Sequence, residues 1–376
     1  MSARNEQLLQ ALLSGEALDM EPQSRTEEYL LNLLRGEKPT RAPQSRTDAL
    51  LCALAEQGMG GGSGGSGGGG STDEWIGDGN THLWVELGEG RTSVFMALYL
   101  NGTATIDWGD GTEPDTVTGS SLWNKVESPM HDYANGGKYV ITITITGSLN
   151  IQGYSDGATI QYPYIFMGKI GSSIDIYHYP KRIKKVEIGN GVTYVASNAF
   201  RNASSVEAVK ISQSVAEIQN LAFAGCQSLK SINIPNSVTK LSANAFAECK
   251  SISAITLPNI ITTIESRLFQ YCTNLMFVDI PDGVTTINGE AFYGCESLAT
   301  IDIPASVTTI AGKVFYNCRA LKAVDFTKHT AVPTLSGTNA FYNTPSDCEI
   351  RVPSALADEW KAATNWATDA NKIVGV

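Results

Sequence analysis

The chain has 376 residues, of which 42% are hydrophobic and 17% charged, and its formal net charge at pH 7 is -11. This length suits two or three folded units. Binding to nucleic acid or to anionic lipid needs clustered Lys and Arg, so the acidic balance argues against both classes of function. No stretch approaches the roughly 20 apolar residues that span a bilayer, and the N-terminus lacks the apolar core of a secretory signal, so we expect neither membrane insertion nor ordinary secretion.

Three short motifs, 21 residues apart, open the chain and define a helical segment over residues 1–57. In the second motif Ser24 is a favoured N-cap, Glu27 follows as in a capping box, and Gly36 can end the helix. Helices this short are not stable alone in water, so we expect them to dock on a partner or on one another. The apolar residues predicted to anchor them are Leu9, Leu12, Leu30, Leu33, Leu51 and Leu54.

Residues 58–72 are almost entirely Gly and Ser and predict a flexible tether with a reach on the order of 20 Å. A phosphate-binding loop would need a following Gly-Lys-Ser/Thr, whereas Thr72-Asp73-Glu74 stands here. Composition does not distinguish a natural linker from an engineered one.

Residues 73–147 have the alternation of β-strands, clearest over 140–146. Ile106 to Thr112 reads as a strand that enters a tight Asp-Gly turn. With His131 and Tyr133, the Trp-Gly-Asp-Gly-Thr element resembles the PKD-like domain, which implies a small immunoglobulin-type β-sandwich acting as a spacer or weak adhesive module. Residues 148–182 are rich in aromatic side chains and are predicted to connect to, and cap, the next unit; a sugar- or peptide-stacking surface is the alternative.

A phenylalanine recurs every 23 residues from residue 200 to residue 315, which predicts a solenoid over residues 183–346. Each unit should supply two short extended segments, and the rings should stack as a buried column. The repeat Ile-Pro-x-Ser-Val-Thr-x-Ile-x-x-x-Ala-Phe-x-x-Cys closely resembles the BspA-like leucine-rich repeat of bacterial and protist surface proteins. Residues 347–376, with Trp360 and Trp366, look like the terminal cap of such an array. The predicted fold is therefore mainly β: a leucine-rich-repeat solenoid preceded by a small PKD/Ig-like β-sandwich and short N-terminal helices.

Five of the seven cysteines occupy one position of the repeat, three residues after the phenylalanine. A packing period of this kind predicts small buried side chains and not a disulfide framework. Zinc sites use short Cys-x2-4-Cys or His spacings, which the sequence lacks. We therefore expect no metal and no cofactor.

Strand alternation leaves two columns of solvent-facing residues along the solenoid, and these vary between repeats while the core positions do not. Three consecutive aspartates and a Phe predicted to be exposed beside them favour the C-terminal half as a ligand surface. The alternative is that outward residues drift freely and that Asp only prevents aggregation. The candidate ligand-contact residues are Lys210, Asn233, Phe277, Asp279, Thr300, Asp302 and Asp325.

The sequence contains no signature of catalysis. Its four histidines are scattered, and no nucleophile elbow, zinc-protease motif or Walker sequence occurs. A row of aspartates along a solenoid forms a ridge, whereas a glycosidase needs two carboxylates across a cleft. We therefore expect a non-enzymatic protein.

The N-terminal motifs resemble segments of virion proteins from phages of Gram-positive hosts. This resemblance implies a virion-located fibre, tail-tip or head-attached protein, released by lysis, that anchors to other virion proteins through residues 1–57. Its solenoid would bind a host-surface or mucosal protein or glycan, and we expect a homo-oligomer, with a trimer among the options. The alternatives are a BspA-like adhesin on the bacterial cell surface and a purely structural virion decoration.

Overall fold

The computed structural model describes residues 75–88, 93–151, 154–155, 161–162, 166–170, 173–175 and 180–376. The predicted linker over 58–72 lies outside the described residues, as do the anchor residues Leu9, Leu12, Leu30, Leu33, Leu51 and Leu54. Residues 75–376 form one compact unit.

The N-terminal part of this unit consists of nine strands. They are β1 (Thr81–Leu87), β2 (Ser93–Asp107), β3 (Asp115–Glu127), β4 (His131–Asp132), β5 (Gly137–Ile151), β6 (Tyr154–Ser155), β7 (Gln161–Tyr162), β8 (Phe166–Ile170) and β9 (Ser173–Asp175). The long strand β2 belongs to two sheets, because its first residues pair with β4 and β8 and the remainder pairs with β3 and β5. The alternating segment predicted over 140–146 lies within β5, which crosses the boundary predicted at residue 147 and continues to Ile151.

The predicted Asp-Gly turn is fixed by its own side chains. Trp108 is fully buried; its indole Nε1 donates a 2.9 Å hydrogen bond to Asp115, and its carbonyl accepts one of 2.8 Å from Tyr133 Oη. His131 stacks on Trp108 with ring centroids 4.8 Å apart and contacts Asp110 at 2.9 Å. The residues that suggested the PKD-like resemblance therefore hold two segments of the domain together.

Strands of the N-terminal part cover the first turn of the solenoid directly. β1 pairs antiparallel with β10 (Ile183–Ile188), and the end of β5 pairs in parallel with β11 (Val192–Val195). Both strands of the first turn thus have a hydrogen-bonded neighbour on their N-terminal side, which removes two exposed strand edges. The predicted cap over 148–182 contributes to this closure only through the last residues of β5 among its described parts.

Two parallel ladders run along the solenoid. The first ladder contains β10, β12 (Ala208–Ile211), β14 (Ser231–Asn233), β16 (Ala254–Thr256), β18 (Phe277–Asp279), β20 (Thr300–Asp302), β22 (Ala323–Asp325), β24 (Glu349–Val352) and β25 (Ile373–Gly375). The second ladder contains β11, β13 (Glu217–Ile218), β15 (Lys240–Leu241), β17 (Thr263–Ile264), β19 (Thr286–Ile287), β21 (Thr309–Ile310) and β23 (Thr334–Leu335).

The predicted phenylalanine column is confirmed. The rings of residues 200, 223, 246, 269, 292, 315 and 341 are at most 1% exposed, and consecutive centroids lie 5.3–6.0 Å apart with nearly parallel planes. Each ring sits on a tight turn between the second ladder and the next strand of the first. Two residues of every such turn, two before and two after the phenylalanine, have positive φ. Asn or Gly, the residues that tolerate this conformation best, fill eight of these fourteen positions.

The repeated cysteines are buried thiols, as predicted. Each donates a hydrogen bond to the phenylalanine carbonyl of the preceding turn, for example Cys272 Sγ to Phe246 O at 3.1 Å. The same contact recurs at Cys226, Cys249, Cys295 and Cys318. Burial raises the pKa of Cys272 and that of Cys318 to about 12, so the thiols stay protonated and can act as donors.

The C-terminal residues close the phenylalanine column. After β24 come a 3-10 turn (Ser354–Leu356), the helix α1 (Ala357–Ala362) and a second 3-10 segment (Trp366–Lys372). Trp366 is fully buried, lies 6.0 Å from Phe341 between ring centroids, and donates from Nε1 to Pro333 O at 2.8 Å. Within the described residues, no helix has the length and apolar character needed to cross a membrane.

Candidate functional site

The first ladder places most of the predicted ligand-contact residues in one column on adjacent strands. Its outer positions, called the outer column below, are Glu187, Lys210, Asn233, Thr256, Asp279, Asp302, Asp325 and Arg351. Neighbouring members lie on neighbouring strands, which stand about 4.8 Å apart. Asn233 and Thr256 are exposed, and the three aspartates are half-buried. The column is therefore a continuous narrow strip, and the sequence analysis missed Arg351 at its end.

The N-terminal end of the outer column is occupied by the protein itself. Glu187 is 5% exposed and accepts hydrogen bonds from the backbone N–H groups of Ile76 and Gly77 at 3.1 and 3.3 Å. Lys210 Nζ donates to the same carboxylate at 2.8 Å and lies 5.9 Å from the centroid of the Trp75 ring. Lys210, predicted as a ligand contact, instead helps to hold the chain segment that covers this end, because a nearly buried carboxylate needs a cationic partner.

The C-terminal half of the outer column carries the predicted acidic strip. Asp302 and Asp325 are register partners on β20 and β22, and Asp279 lies on the preceding strand β18. Asp325 Oδ1 accepts hydrogen bonds from the backbone N–H and the hydroxyl of Thr327 at 2.8 and 2.6 Å. Arg351 follows Asp325 across the ladder and pairs with Glu349 at 2.8 Å. Three carboxylates in succession give this surface a negative field that favours a cationic or hydrogen-bond-donating ligand.

Phe277 does not project into solvent, and the prediction that it is exposed was wrong. Its side chain is 8% exposed, and its register partner Ala254 is 6% exposed. Simple alternation places residue 277 outward, but its neighbours across the ladder, Ala254 and Thr300, are small and leave room for the ring to lie over the sheet. Thr300, one strand further, is exposed as predicted.

The structure adds a second surface, on the turns, that sequence reasoning missed. Tyr271, Tyr293, Tyr316 and Tyr342 stand on four successive turns and form what we call the tyrosine ladder. Ring centroids are 5.2, 4.8 and 4.7 Å apart from one tyrosine to the next. The two end members, Tyr271 and Tyr342, are 42% and 55% exposed. A tyrosine directly after the phenylalanine in three units was the signal, but Tyr271 follows at two residues and the last unit is longer.

The described histidines serve the fold at separate places. His82 contacts Asp78 and Thr142 at 2.8 and 3.1 Å, and His329 is buried, with Nε2 3.2 Å from Val307 O. Across the described part of the chain, no three His, Cys, Asp or Glu side chains converge as a metal site. The geometry on the page is that of a rigid wall with two surface strips.

Comparison with known proteins identifies the repeats. The model of the BspA type leucine rich repeat region matches in six copies over residues 172–298 and 239–359, half of the chain. No curated protein matches. A leucine rich cell surface protein from Faecalibacterium prausnitzii has a solved structure that is 27% identical, with 50% of this chain and 62% of that chain covered and a TM-score of 0.39.

Two further solved structures are similar to the same extent. A leucine-rich repeat protein from Bacteroides ovatus is 26% identical over 50% of this chain and 51% of that one, with a TM-score of 0.41. A leucine-rich repeat protein of T. pallidum is 26% identical over 45% of this chain and 86% of that one, with a TM-score of 0.39. The chain thus spans only 51–62% of the length of the first two.

Proposed function

Because this chain belongs to the BspA-type leucine-rich-repeat family, we propose that its solenoid is a recognition module, displayed on a bacterial cell surface, that binds a ligand without transforming it. The observation that carries the proposal is the outer column: a fixed core repeats from turn to turn while its solvent-facing residues change. A solenoid holds such a strip rigid over many strands, so a ligand meets a surface that loses little entropy on binding.

The contact residues in this proposal are the accessible members of the outer column and its flank. They are Asn233, Asp279, Thr300, Asp302 and Asp325. The acidic half suits a basic protein segment on the target, since complementary charge raises the rate of encounter and selects the partner. Several copies on one surface would add avidity through a high effective concentration.

A binding assay tests this proposal. The full chain, labelled with a fluorophore, is applied to host epithelial cells and to mucin-coated plates in parallel with Thr300→Arg. The large cation beside Asp302 should reduce binding at least tenfold, because it blocks the strip and cancels part of its charge. Lys250→Glu changes an exposed residue on a turn and should bind as the parent does. Equal binding of all three proteins, or none by the parent at micromolar concentration, would refute the proposal.

The virion hypothesis is a second candidate for where the module is displayed. Its support is the resemblance of residues 1–57 to virion segments, whereas the family match favours display on the cell. The two candidates differ in a direct measurement. Antibody against the solenoid should label intact, unlysed cells of the source organism if the first holds, and purified phage particles if the second does.

A further inference from the structure

The tyrosine ladder is not required by the fold of the repeat. The residues that follow the phenylalanine in the first three turns are Arg201, Ala224 and Ala247, and those turns stack as closely as the later ones. The chain thus places four large aromatic side chains on a surface where small or charged ones build the same turn. Exposed aromatic residues gathered on one strip are a feature of binding surfaces and not of ordinary solvent-facing ones.

Local packing presents these rings in a fixed arrangement. Gly294 has φ of +71°, and a Cβ at this position would lie 2.7 Å from Cδ1 of Tyr271. Its missing side chain lets Tyr271 pack edge-on against Tyr293, with 77° between the planes. Tyr316 stacks nearly parallel on Tyr293, and Tyr342 closes the series with Tyr316 on one side of its ring. With 55% of its surface exposed, Tyr342 offers the ligand most of its other face.

Polar groups border the rings. Glu290 is held between Arg267, at 2.7 Å, and Lys313, at 4.0 Å. Asn343 Nδ2 donates to Asn317 Oδ1 at 2.7 Å, so each amide of this pair keeps further hydrogen-bonding capacity. The phenols are donors as well, because burial and the neighbouring Tyr271 raise the pKa of Tyr293.

We infer that the tyrosine ladder is a binding site for a neutral oligosaccharide, with one pyranose ring stacked on the exposed face of Tyr342. The C–H face of a pyranose packs on an aromatic ring, while its equatorial hydroxyls need amide, carboxylate and phenol groups at the rim. The ladder supplies both within one strip. The net charge of -11 makes a polyanionic glycan the wrong ligand.

The dimensions of the strip favour a glycan over a protein. A stable protein interface buries about 800 Å² per partner around a broad apolar centre. The tyrosine ladder is one side chain wide, with the triad of Arg267, Glu290 and Lys313 and the pair of Asn317 and Asn343 beside it. A linear sugar chain matches a narrow aromatic strip with a polar rim, and this inference rests on the proposed recognition role.

The test uses the full chain and three trisaccharides: maltotriose, cellotriose and tri-N-acetylchitotriose, together with a printed array of neutral glycans. We expect saturation-transfer NMR signals from at least one trisaccharide or binding to array members. Tyr342→Ala should weaken that binding by about tenfold, while Tyr342→Phe, which keeps the ring, should stay within about threefold. Ile260→Ala removes another exposed apolar side chain, 50% exposed and away from the ladder, and should bind as the parent does.

Failure of this inference is distinct from failure of the proposed function. No binding to the array or to any trisaccharide at about 10 mM would overturn the glycan site, and so would equal binding by parent and Tyr342→Ala. Capture of a protein ligand that Tyr342→Ala abolishes would overturn it too. Cell binding that Thr300→Arg abolishes and Tyr342→Ala leaves intact would keep the recognition role and remove the glycan site.

Discussion

Replacement of a central ring of the phenylalanine column tests the fold most directly. Phe269 is fully buried, with the rings of Phe246 and Phe292 at 6.0 and 5.6 Å. Phe269→Ala leaves a cavity and should cost about 3–5 kcal/mol of the free energy of unfolding. Two stacked ring pairs, each about 0.5–1.5 kcal/mol beyond area burial, place the expected value in the upper half of that range.

The measurement is urea denaturation of the full chain followed by circular dichroism. Phe269→Leu conserves most of the volume and should cost less than about 1.5 kcal/mol. Tyr342→Ala, a truncation of a largely exposed ring on the same kind of turn, should change stability by less than about 1 kcal/mol. A loss below about 1 kcal/mol for Phe269→Ala would mean that the ring is not enclosed, and the column as described would be wrong.

Three other measurements follow from the turns and from the C-terminal end. Cys272 and Cys318 should resist alkylation at pH 8 in the folded chain and react within minutes in urea, because burial raises the pKa of each to about 12; fast labelling of folded protein would contradict the buried column. Burial lowers the pKa of His329, so the unfolded chain binds the proton first as pH falls through about 6.5. Stability should then drop by up to about 1.4 kcal/mol per pH unit, and His329→Gln should remove that part of the slope. Leu221 has φ of 59°, and Leu221→Gly should raise the melting temperature, whereas Lys250→Gly on the same type of turn, with φ outside this region, should lower it.

The repeat made most of the solenoid predictable. A 23-residue interval fixes which side chains face one another on successive turns, so the phenylalanine column, the buried cysteines and the strand positions followed from spacing alone. The positions within a strand were less predictable. Alternation assigns Phe277 to solvent, but burial depends on the size of the neighbours across the ladder, which are thirds of a repeat apart in space and a full repeat apart in sequence.

The contacts between different parts of the chain were out of reach. The pairing of β1 with β10 joins residues about a hundred positions apart, and no period links them. Lys210 looked like one more variable surface residue, because its partner Glu187 and the segment that covers it come from that same junction. The tyrosine ladder was hidden by a one-residue shift at Tyr271 and by the longer last unit.

The positive-φ turns have a consequence for how such a protein can change over generations. Every unit meets the next through the same carbonyls, thiol and ring, so the seam between any two units is interchangeable. Recombination that removes or duplicates 23 residues would leave both closed ends, built by β1 and by Trp366, as they are. Length, and with it the distance between the two surface strips' far ends, is therefore a quantity that inheritance can adjust in whole steps without redesigning the interior.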